Sequence, residues 1–440
     1  MSMRRRTFLQ TLGAGSLVGL NACGGGSSAG ASSGGSGTPP PAPPAPPAPP
    51  SPILVVIQIQ GGHDWLSTLV PTTGANATAY TANRPTLKIP DTNLTDLGSG
   101  LGLNKDLLGL DVLHAAGKVA WIPGIGMNNP NLSHFTATDF WSQGAANPDG
   151  TGWLGRWGDA VFSTADLLRG IATTSDILLM NHGHKRDFVA ITSASGYQFP
   201  TFLRSGGAVS DSNLLKTGYN ASLVGSATDP MASLAASEGK LWYDAQTAFG
   251  VLPPRTPSVA YPGDAAYAVT GLSNQLSNQL KLVAQMIANG IPGQVYTVRL
   301  GGFDTHSNQA TDYPRLMGSL GGAIKAFYDD LATMTTTVNG TAVKAQDRVL
   351  MMAWSEFGRR IKENNGGTDH GTAGLSFLVG NGLKGGFFGQ GYPDLNTPDS
   401  NGNMLYTTEF RSLYATLLDK WLGGDSKTIL GATYPALGFL

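Results

Sequence analysis

The sequence contains little cysteine and little charge. Cys23 is the only cysteine in 440 residues, which excludes an internal disulfide. Charged residues make up 13% of the chain, and 28 basic residues nearly balance 29 acidic ones. A balanced charge removes the electrostatic basis for binding nucleic acid, so we expect no nucleic acid partner. The chain is nevertheless long enough to bury a large core.

The apolar run near the N-terminus is also short. TFLQTLGAGSLVGLNA has too few residues and too much glycine for a transmembrane helix, and it follows the pair Arg5 and Arg6. This arrangement is typical of a twin-arginine export signal. The run ends in Leu20–Cys23, which resembles a lipobox, so residues 1–22 are the predicted signal peptide and Cys23 the predicted lipidation site. The alternative is an ordinary signal-peptide cysteine that is removed with the rest.

Residues 23–52 contain almost nothing that could pack in a core. Their Gly/Ser half predicts a flexible coil, and their Pro half predicts a stiff, extended spacer. We therefore expect a tether that holds a folded domain, residues 53–440, away from a membrane. The expected location is the periplasm or cell surface, with the twin-arginine translocase as an export partner and the membrane contacted through the lipid anchor.

Strand and helix patterns alternate in the folded part. The apolar runs ILVVIQI, VAWIPGI, VYTVRL and RVLMMAW predict buried strands, and apolar residues recur at helical spacing from Leu272 to Ile287. Such alternation predicts an α/β fold with a mostly parallel sheet. Residues from about 145 to 270 are rich in Gly, Ser and Thr, and we expect an insertion or cap there.

Acidic and histidine residues follow several of these strands. The first strand leads into GGHD, and the second leads to SHF, which holds Ser133 and His134. Later strands lead into GGFDTH and SEFGRR, and the loop after the last one carries GGTDHG. Parallel sheets bind ligands at the carboxyl ends of their strands, so we expect these segments to meet. Mixed nitrogen and oxygen ligands suit Zn²⁺, Mn²⁺ or Fe²⁺. The predicted metal-binding residues are Asp64, Asp304, His306, Glu356, Asp369 and His370.

Ser133 is the candidate nucleophile. It stands where NPNLSHFTATDFW predicts the start of a helix, and free N–H groups there favour a phosphate-like anion. A nearby metal would lower the pKa of its hydroxyl. Arg359 or Arg360 could hold anionic oxygens as a bidentate fork. In the alternative interpretation, Arg359 and Arg360 are surface arginines beside Lys362 and Glu363.

Each of these residues also has a structural interpretation. Asp64 and Ser133 could cap helices, because Asp and Ser are favoured at that position. Asp304 and His306 could form a solvated turn. Two further histidines, in the motif NHGH at 181–184, could be ligands, but an exposed loop is the favoured interpretation. Asp64, Ser133, Asp304 and His306 differ from these two histidines. They all follow apolar strands, and this joint placement favours a shared polar site.

Two hydrolase motifs are missing from the folded part. A lipase or esterase triad needs a strand–G-x-S-x-G–helix elbow, and the sequence has none. A formylglycine sulfatase needs Pro and Arg at the second and fourth positions after the modified residue. Ser133 is followed there by Phe135 and Ala137, which argues against that modification.

The segments GGHDWLSTLVP, NPNLSHFTATDFW, GGFDTH, WSEFGRR and GGTDHGTAG together resemble the exported bacterial family called domain of unknown function 1501. They occur in order across nearly all of the folded part. That family is similar to the alkaline phosphatase superfamily, which includes phosphomutases and sulfatases. The resemblance implies an alkaline phosphatase-like, doubly wound sheet with helices on both faces. It also implies one or two divalent metal ions (Zn, Mn or Ca) and a Ser or Thr nucleophile.

The resemblance assigns roles to individual residues. Asp64 resembles the ligand after the first strand, Ser133 the nucleophile, and Asp304 and His306 the Asp and His of one metal site. The motif TDHG can be aligned with an Asp-His-Gly motif that supplies two ligands. Alternatively SEFG takes that place, and we favour this alignment because SEFG directly follows a strand.

In the favoured alignment Glu356 is a carboxylate ligand, His370 is the isolated His ligand, and Phe357 replaces a His. That replacement argues against a second metal, so one ion bound by Asp304, His306 and His370 is expected. The implied function is exported, metal-dependent hydrolysis of a phosphate or sulfate ester, on a small molecule or polymer, through Ser133. The alternative is a non-catalytic cell-surface binding or assembly protein that keeps the fold.

Overall fold

The structure is a computed structural model that describes residues 52–163, 167–193 and 252–440, together with 245, 248 and 249. The predicted signal peptide, Cys23 and the tether up to residue 51 lie outside the described residues and stay predictions. The central part of the predicted insertion, residues 194–244, also lies outside them. Within the described part of the chain, no helix is long and apolar enough to cross a membrane.

The described strands range from two to eight residues in length. They are β1 Ile53–Ile59, β2 Leu69–Pro71, β3 Leu94–Asp96, β4 Leu101–Asn104, β5 Val119–Gly126, β6 Gly170–Ala172, β7 Val189–Ala190, β8 Val295–Leu300, β9 Thr335–Val338, β10 Thr341–Lys344, β11 Val349–Trp354, β12 Gly358–Glu363, β13 Thr368–Gly371, β14 Gly374–Gly380, β15 Gly386–Phe387 and β16 Thr408–Glu409.

The described α-helices include the segments predicted near Ser133 and between Leu272 and Ile287. They are α1 Gly74–Asn83, α2 Leu110–Ala115, α3 His134–Gln143, α4 Trp153–Val161, α5 Gln275–Ala288, α6 Gln309–Ala332, α7 Phe410–Lys420 and α8 Ser426–Leu430. The apolar spacing of α5 and the N-cap position of Ser133 confirm both helix predictions.

A nine-stranded sheet forms the centre of the fold. Its strand order is β15-β5-β14-β11-β1-β8-β6-β7, and β16 pairs with β5. β1 runs parallel to both β11 and β8, with Val56 opposite Met352 on one side and Thr297 on the other. Of the described strands in this sheet, only β14 runs antiparallel to its neighbours. The prediction of an α/β fold with a mostly parallel sheet is therefore confirmed.

Helices cover both faces of the sheet. Alternate residues of β1 point to opposite faces, so Val55 and Ile57 join the core that contains Leu280 of α5 and Leu320 of α6. Leu54 and Val56 belong to a second core on the other face. That second core contains the buried Trp141 of α3, Trp153 of α4 and Leu413 of α7. Because β1 is buried on both faces, its sequence is a continuous apolar run.

The sheet order brings the predicted site segments together. β11, β1 and β8 are neighbours, and their carboxyl ends lead into SEFG, GGHD and GGFDTH. Gly61 has a φ of +121°, and an added Cβ would overlap the backbone nitrogen of Asp304. Glycine is therefore required where the loop after β1 meets the loop after β8.

One local prediction is wrong. GGTDHG was expected in a loop, but Thr368–Gly371 forms β13, which pairs antiparallel with β12 and places His370 opposite Arg359. This hairpin folds back over the strand ends. The cross-strand pairing, which no local apolar pattern signals, decides its conformation.

Candidate metal centre

Three histidine side chains converge on the carboxylate of Asp304. Nε2 of His306 and Nε2 of His370 each lie 3.0 Å from Oδ1, and Nε2 of His134 lies 3.3 Å from Oδ2. The ligand atoms of His134, Asp304 and His370 all lie within 4.8 Å of one another. Nε2 of His306 is also 3.0 Å from Nε2 of His370. We call these four residues the metal centre, as the candidate site for a cation.

Each imidazole of the metal centre meets an acceptor on its Nδ1 side. Nδ1 of His370 lies 2.8 Å from the carbonyl oxygen of Leu132 and Nδ1 of His134 lies 2.8 Å from Oε1 of Glu356. Nδ1 of His306 lies 3.4 Å from Oδ1 of Asp369. These acceptors favour the tautomer with the proton on Nδ1, in which the Nε2 lone pair is free to bind a cation in place of a hydrogen bond to Asp304.

That arrangement fits a divalent cation. Three nitrogen lone pairs and a carboxylate repel one another unless a proton or a cation lies between them. Nε2 of His134 is buried and has no hydrogen-bond partner, although it lies 3.3 Å from Asp304. Metal-bound histidines usually donate their other N–H to a carboxylate or a carbonyl, as these do. The set of three imidazoles and one carboxylate matches the donors that Zn²⁺ and Mn²⁺ accept.

The charges agree with this interpretation. Burial would raise the pKa of Asp304, but hydrogen bonds with His370 and Arg359 outweigh burial and hold that pKa below its usual range. Burial lowers the pKa of His370, against the opposing effect of its hydrogen bond to Asp304. His134 is the exception, because its hydrogen bond with Glu356 raises its pKa and a proton then competes with a cation for this imidazole. Asp304 is therefore ionised and His370 neutral near pH 7, as ligands need to be.

The metal centre is open to solvent on one side. The side chain of Asp304 is 47% exposed and that of His306 is 44% exposed. By contrast, the Glu356 side chain behind His134 is fully buried. A ligand can therefore approach the four residues from outside without displacing the residues that orient them.

Arg359 does not have its predicted role as an anion clamp. Its side chain is fully buried, and its Nε and Nη atoms donate to the carbonyls of Gly61, Gly62, Phe303 and Thr368 and to Oδ1 of Asp304. A guanidinium with these partners has no face to present to a substrate. We assign Arg359 to holding the loops together and fixing Asp304.

Asp64 is likewise engaged by protein groups rather than by the metal centre. Arg84 binds both of its oxygens, with Nη1–Oδ2 and Nη2–Oδ1 distances of 2.7 and 2.9 Å. Ser67 and Gln309 also donate to Oδ2, and the carboxylate is fully buried. Asp64 was predicted to be a metal ligand. The charge of its carboxylate is instead balanced by Arg84, which is twenty residues away in the sequence and folds onto it.

Glu356 and Asp369 lie behind the histidines instead of among the direct ligands. Glu356 accepts from the backbone N–H of Gly61 at 2.8 Å as well as from His134. Asp369 contacts Nδ1 of His306 and accepts from Asn364 at 3.0 Å, and that hydrogen bond lowers its pKa most. Both carboxylates thus orient imidazole rings.

His134 was expected at a strand end, within the motif SHF, but it was not among the predicted metal ligands. The signal was its position directly after the candidate nucleophile, at a predicted helix start. A histidine there looks like the first residue of a helix, and only the fold shows that it faces Asp304. Phe357, which replaces an expected histidine, packs against the rings of His134 and His370 with centroid distances of 4.9 and 4.5 Å.

Ser133 lies between two residues of the site. Leu132 accepts from His370, and His134 contacts Asp304. Ser133 is exposed at the N-cap of α3, and its side chain makes no capping hydrogen bond. Its hydroxyl is therefore not committed to the helix.

The remaining candidates lie outside the metal centre. The Arg360 side chain is 39% exposed and lies 4.0 Å from Asp369. His182 and His184 lie in a loop, paired with Asp187 at 3.1 Å and Asp149 at 3.2 Å. The loop interpretation of these two histidines agrees with this placement.

The chain thus combines an α/β fold with a cluster of metal-type residues at the carboxyl edge of its sheet. The model of the family described as "Protein of unknown function (DUF1501)" matches residues 265–429. The family resemblance is confirmed over this part of the chain, which holds Asp304, His306 and His370. A comparison with curated proteins gives no match.

Several solved structures are similar to the chain at low identity. One is a protein in the alkaline phosphatase superfamily from Vibrio parahaemolyticus, at 11% identity and a TM-score of 0.33, covering 88% of this chain and 70% of that one. Alkaline phosphatase from the Antarctic bacterium TAB5 has 11% identity and a TM-score of 0.28, and the match covers 76% of this chain and 93% of that one. A 2-O GAG sulfatase has 11% identity and a TM-score of 0.34, and the match covers 87% of this chain and 75% of that one.

Proposed function

We propose that this protein is an exported, metal-dependent hydrolase of phosphate or sulfate esters, with Ser133 as its nucleophile. The observation that carries the proposal is the convergence of three Nε2 atoms on Asp304. Ser133 directly precedes His134 in the sequence, and its side chain makes no capping hydrogen bond. The ordered sequence resemblance to the phosphatase and sulfatase superfamily supports the reaction class.

Asp304, His134, His306 and His370 would hold the ion. Bound there, a divalent metal supplies Lewis-acid polarisation of an ester oxygen and lowers the pKa of a nearby hydroxyl. Three imidazole donors favour Zn²⁺ or Mn²⁺ over Ca²⁺, which prefers oxygen ligands. Because Asp64 is paired with Arg84, we propose a single ion rather than two.

The residues of the chain itself would place the reacting groups. The first turn of α3 has backbone N–H groups without helical partners, and these favour the anionic oxygens of an ester. Oγ of Ser133 stands at that turn and would attack phosphorus or sulfur as the bond to the leaving oxygen breaks. The serine hydroxyl would give up its proton to solvent, and the leaving oxygen would take one from solvent. Water would then release the acid and restore the serine.

The exported and lipid-anchored state is part of the proposal and rests on the sequence alone. Arg5 and Arg6 would direct the folded protein to the twin-arginine translocase, and Cys23 would carry the lipid. Export after folding would allow the metal centre to take up its ion in the cytoplasm.

A non-catalytic binding or assembly protein is the second candidate. The observation that favours it is Phe357, whose ring packs against both His134 and His370 and stands where the sequence alignment expected a further histidine ligand. Such a protein would keep the metal centre for structure alone. It would bind metal and show no turnover.

The test combines metal analysis with a panel of phosphomonoesters, phosphodiesters and sulfate esters. Ser133→Ala should keep its metal and its stability but lose roughly a hundredfold or more in kcat, because covalent catalysis fails while the scaffold remains. The matched control is Thr73→Ala, since Thr73 is also an exposed N-cap without a side-chain capping bond.

Three outcomes separate the candidates. Full turnover by Ser133→Ala excludes the nucleophile. One metal per chain with no activity on any ester supports the binding protein. Loss of stoichiometric metal in the double variant His306→Ala with His370→Ala supports the metal centre, and full occupancy in that variant contradicts it.

A further inference from the structure

Three buried polar atoms on one face of the central sheet have no hydrogen-bond partner among the described residues. They are Oε1 of Gln58 on β1, Nε of Arg299 on β8 and Oδ1 of Asn181. Gln58 and Asn181 are both buried. Folded proteins pair almost all of their buried polar groups, either with other protein groups or with ordered water. These three atoms therefore call for a partner.

The sheet register places Gln58 beside Arg299. The two residues are paired in neighbouring parallel strands, and their side chains point to the face that carries Leu54 and Val56. Nη2 of Arg299 is held by the two carboxylate oxygens of Asp176, at 3.0 and 2.9 Å. Because Nη2 is engaged there and Nε is buried, the Nε–H group is the part of the guanidinium that faces the interior.

Asn181 approaches the same face from the short helical turn Leu179–Asn181. Its Nδ2 donates to Oγ1 of Thr297 at 2.8 Å. Thr297 stands two residues before Arg299 on β8, so both side chains lie on the same face of the sheet. The amide group of Asn181 therefore lies against β8, one position along the face from the pair formed by Gln58 and Arg299.

The chemistry of the three atoms matches a water molecule. Nε of Arg299 carries one hydrogen and donates, whereas the amide oxygens of Gln58 and Asn181 accept. A direct bond from Nε to one oxygen would leave the other oxygen unpaired. Buried water molecules make about three hydrogen bonds, and one of them can accept from Nε and donate its two hydrogens to the two oxygens.

We propose that an ordered water molecule binds here, accepting from Arg299 and donating to Gln58 and Asn181. It joins β1 and β8 to the turn Leu179–Asn181. These are the two strands that lead into the loops with Gly61 and Asp304, so the water stabilises the base of the metal centre. The proposal does not depend on any catalytic activity of the protein.

A crystal structure of the full-length protein at atomic resolution tests the proposal directly. It should show one ordered water within hydrogen-bond distance, about 2.7–3.2 Å, of Nε, Oε1 and Oδ1. A direct hydrogen bond between Arg299 and Gln58, with no ordered water at this place, overturns the proposal.

The variant Gln58→Met tests it in solution, because Met has nearly the same volume and lacks Oε1. If Oε1 accepts from a bound water, the ratio of folded to unfolded protein should fall about tenfold, since the buried water loses a partner. If Oε1 has no partner, removing it should leave the ratio unchanged or raise it. Denaturant unfolding measures the ratio, and the second result overturns the proposal.

Ser277→Ala is the matched control. Ser277 is also fully buried, and its Oγ has no hydrogen-bond partner among the described residues, but it lies on α5, whose apolar residues belong to the core on the opposite face. Its replacement should leave the ratio unchanged or raise it, because alanine also favours a helix. A fall in Gln58→Met no larger than that in Ser277→Ala overturns the proposal.

Discussion

Nδ1 of His134 lies 2.8 Å from Oε1 of the buried Glu356, and this contact determines which nitrogen of His134 faces Asp304. With its proton held on Nδ1, the ring presents Nε2 to the metal centre. Glu356 is itself fixed by the backbone N–H of Gly61 and by Ser355, at 2.8 and 3.2 Å. The pair therefore links the loop after β1, the end of β11 and the start of α3.

Replacing Glu356 should weaken metal binding. We expect Glu356→Ala to lower metal affinity roughly 10- to 100-fold, because loss of the orienting partner frees the ring of His134. Glu356→Gln should have a smaller effect, since its amide oxygen can still accept from Nδ1. Competition with a chelator of known affinity measures both.

Glu363→Gln is the control for the Glu356 variants. Glu363 accepts from the backbone N–H groups of Thr86 and Leu87 instead of from a histidine. Its replacement should therefore leave metal affinity unchanged. An unaltered affinity in Glu356→Ala would show that Glu356 does not orient His134.

Replacing Arg359 should destabilise the fold. Arg359→Met leaves Asp304 and several buried carbonyls without their donor, and each buried polar group left unsatisfied typically costs about 1–3 kcal/mol. Arg360→Met, at the neighbouring and partly exposed position, should change the unfolding free energy by only about 0.5 kcal/mol. Urea unfolding of the metal-free proteins gives both values. A stable Arg359→Met with lost substrate affinity would restore the anion-clamp role.

His63 should make stability depend on pH. Burial lowers the pKa of His63 to about 4, from 6.5 for an unperturbed histidine. Its ring nitrogens lie 2.9 Å from Oγ1 of Thr68 and 3.0 Å from the hydroxyl of Tyr313. Between these two pKa values the unfolded chain binds a proton that the folded protein does not, so stability falls as the pH falls.

The expected loss is about 3 kcal/mol of unfolding free energy between pH 6.5 and pH 4, at 1.36 kcal/mol per pKa unit. Denaturant unfolding of the metal-free protein across this range measures it. His63→Gln does not titrate there and should show a correspondingly shallower dependence on pH. Identical pH profiles for the two proteins would contradict the assignment.

Export should depend on Arg5, Arg6 and Cys23. Arg5→Lys with Arg6→Lys should leave the protein in the cytoplasm, whereas Arg4→Lys is the control and should not. Cys23→Ser should release the protein from the membrane fraction, because the predicted lipid is then missing and a nearly neutral chain gains little electrostatic attraction to a membrane. Cell fractionation measures both effects. Membrane association that persists in Cys23→Ser would rule out the lipid anchor.

Much of the architecture could be predicted because apolar periodicity is a local property. The buried strands β1, β8 and β11 and the helix α5 each follow from a run or spacing of apolar residues. The same reasoning anticipated that Asp304, His306 and His370 would meet, since each stands near the carboxyl end of a strand or in the hairpin that follows one. The signal and tether also come from the sequence alone, and they stay predictions.

The tertiary structure decided which polar residue does what. Asp64, Glu356 and Asp304 are all carboxylates near strand ends, and the residues that flank them in the sequence do not distinguish their roles. Folding brings Arg84 onto Asp64, His134 onto Glu356, and three imidazoles onto Asp304. The role of a charged group depends on burial and on the charges within a few ångströms, and those neighbours come from distant parts of the chain.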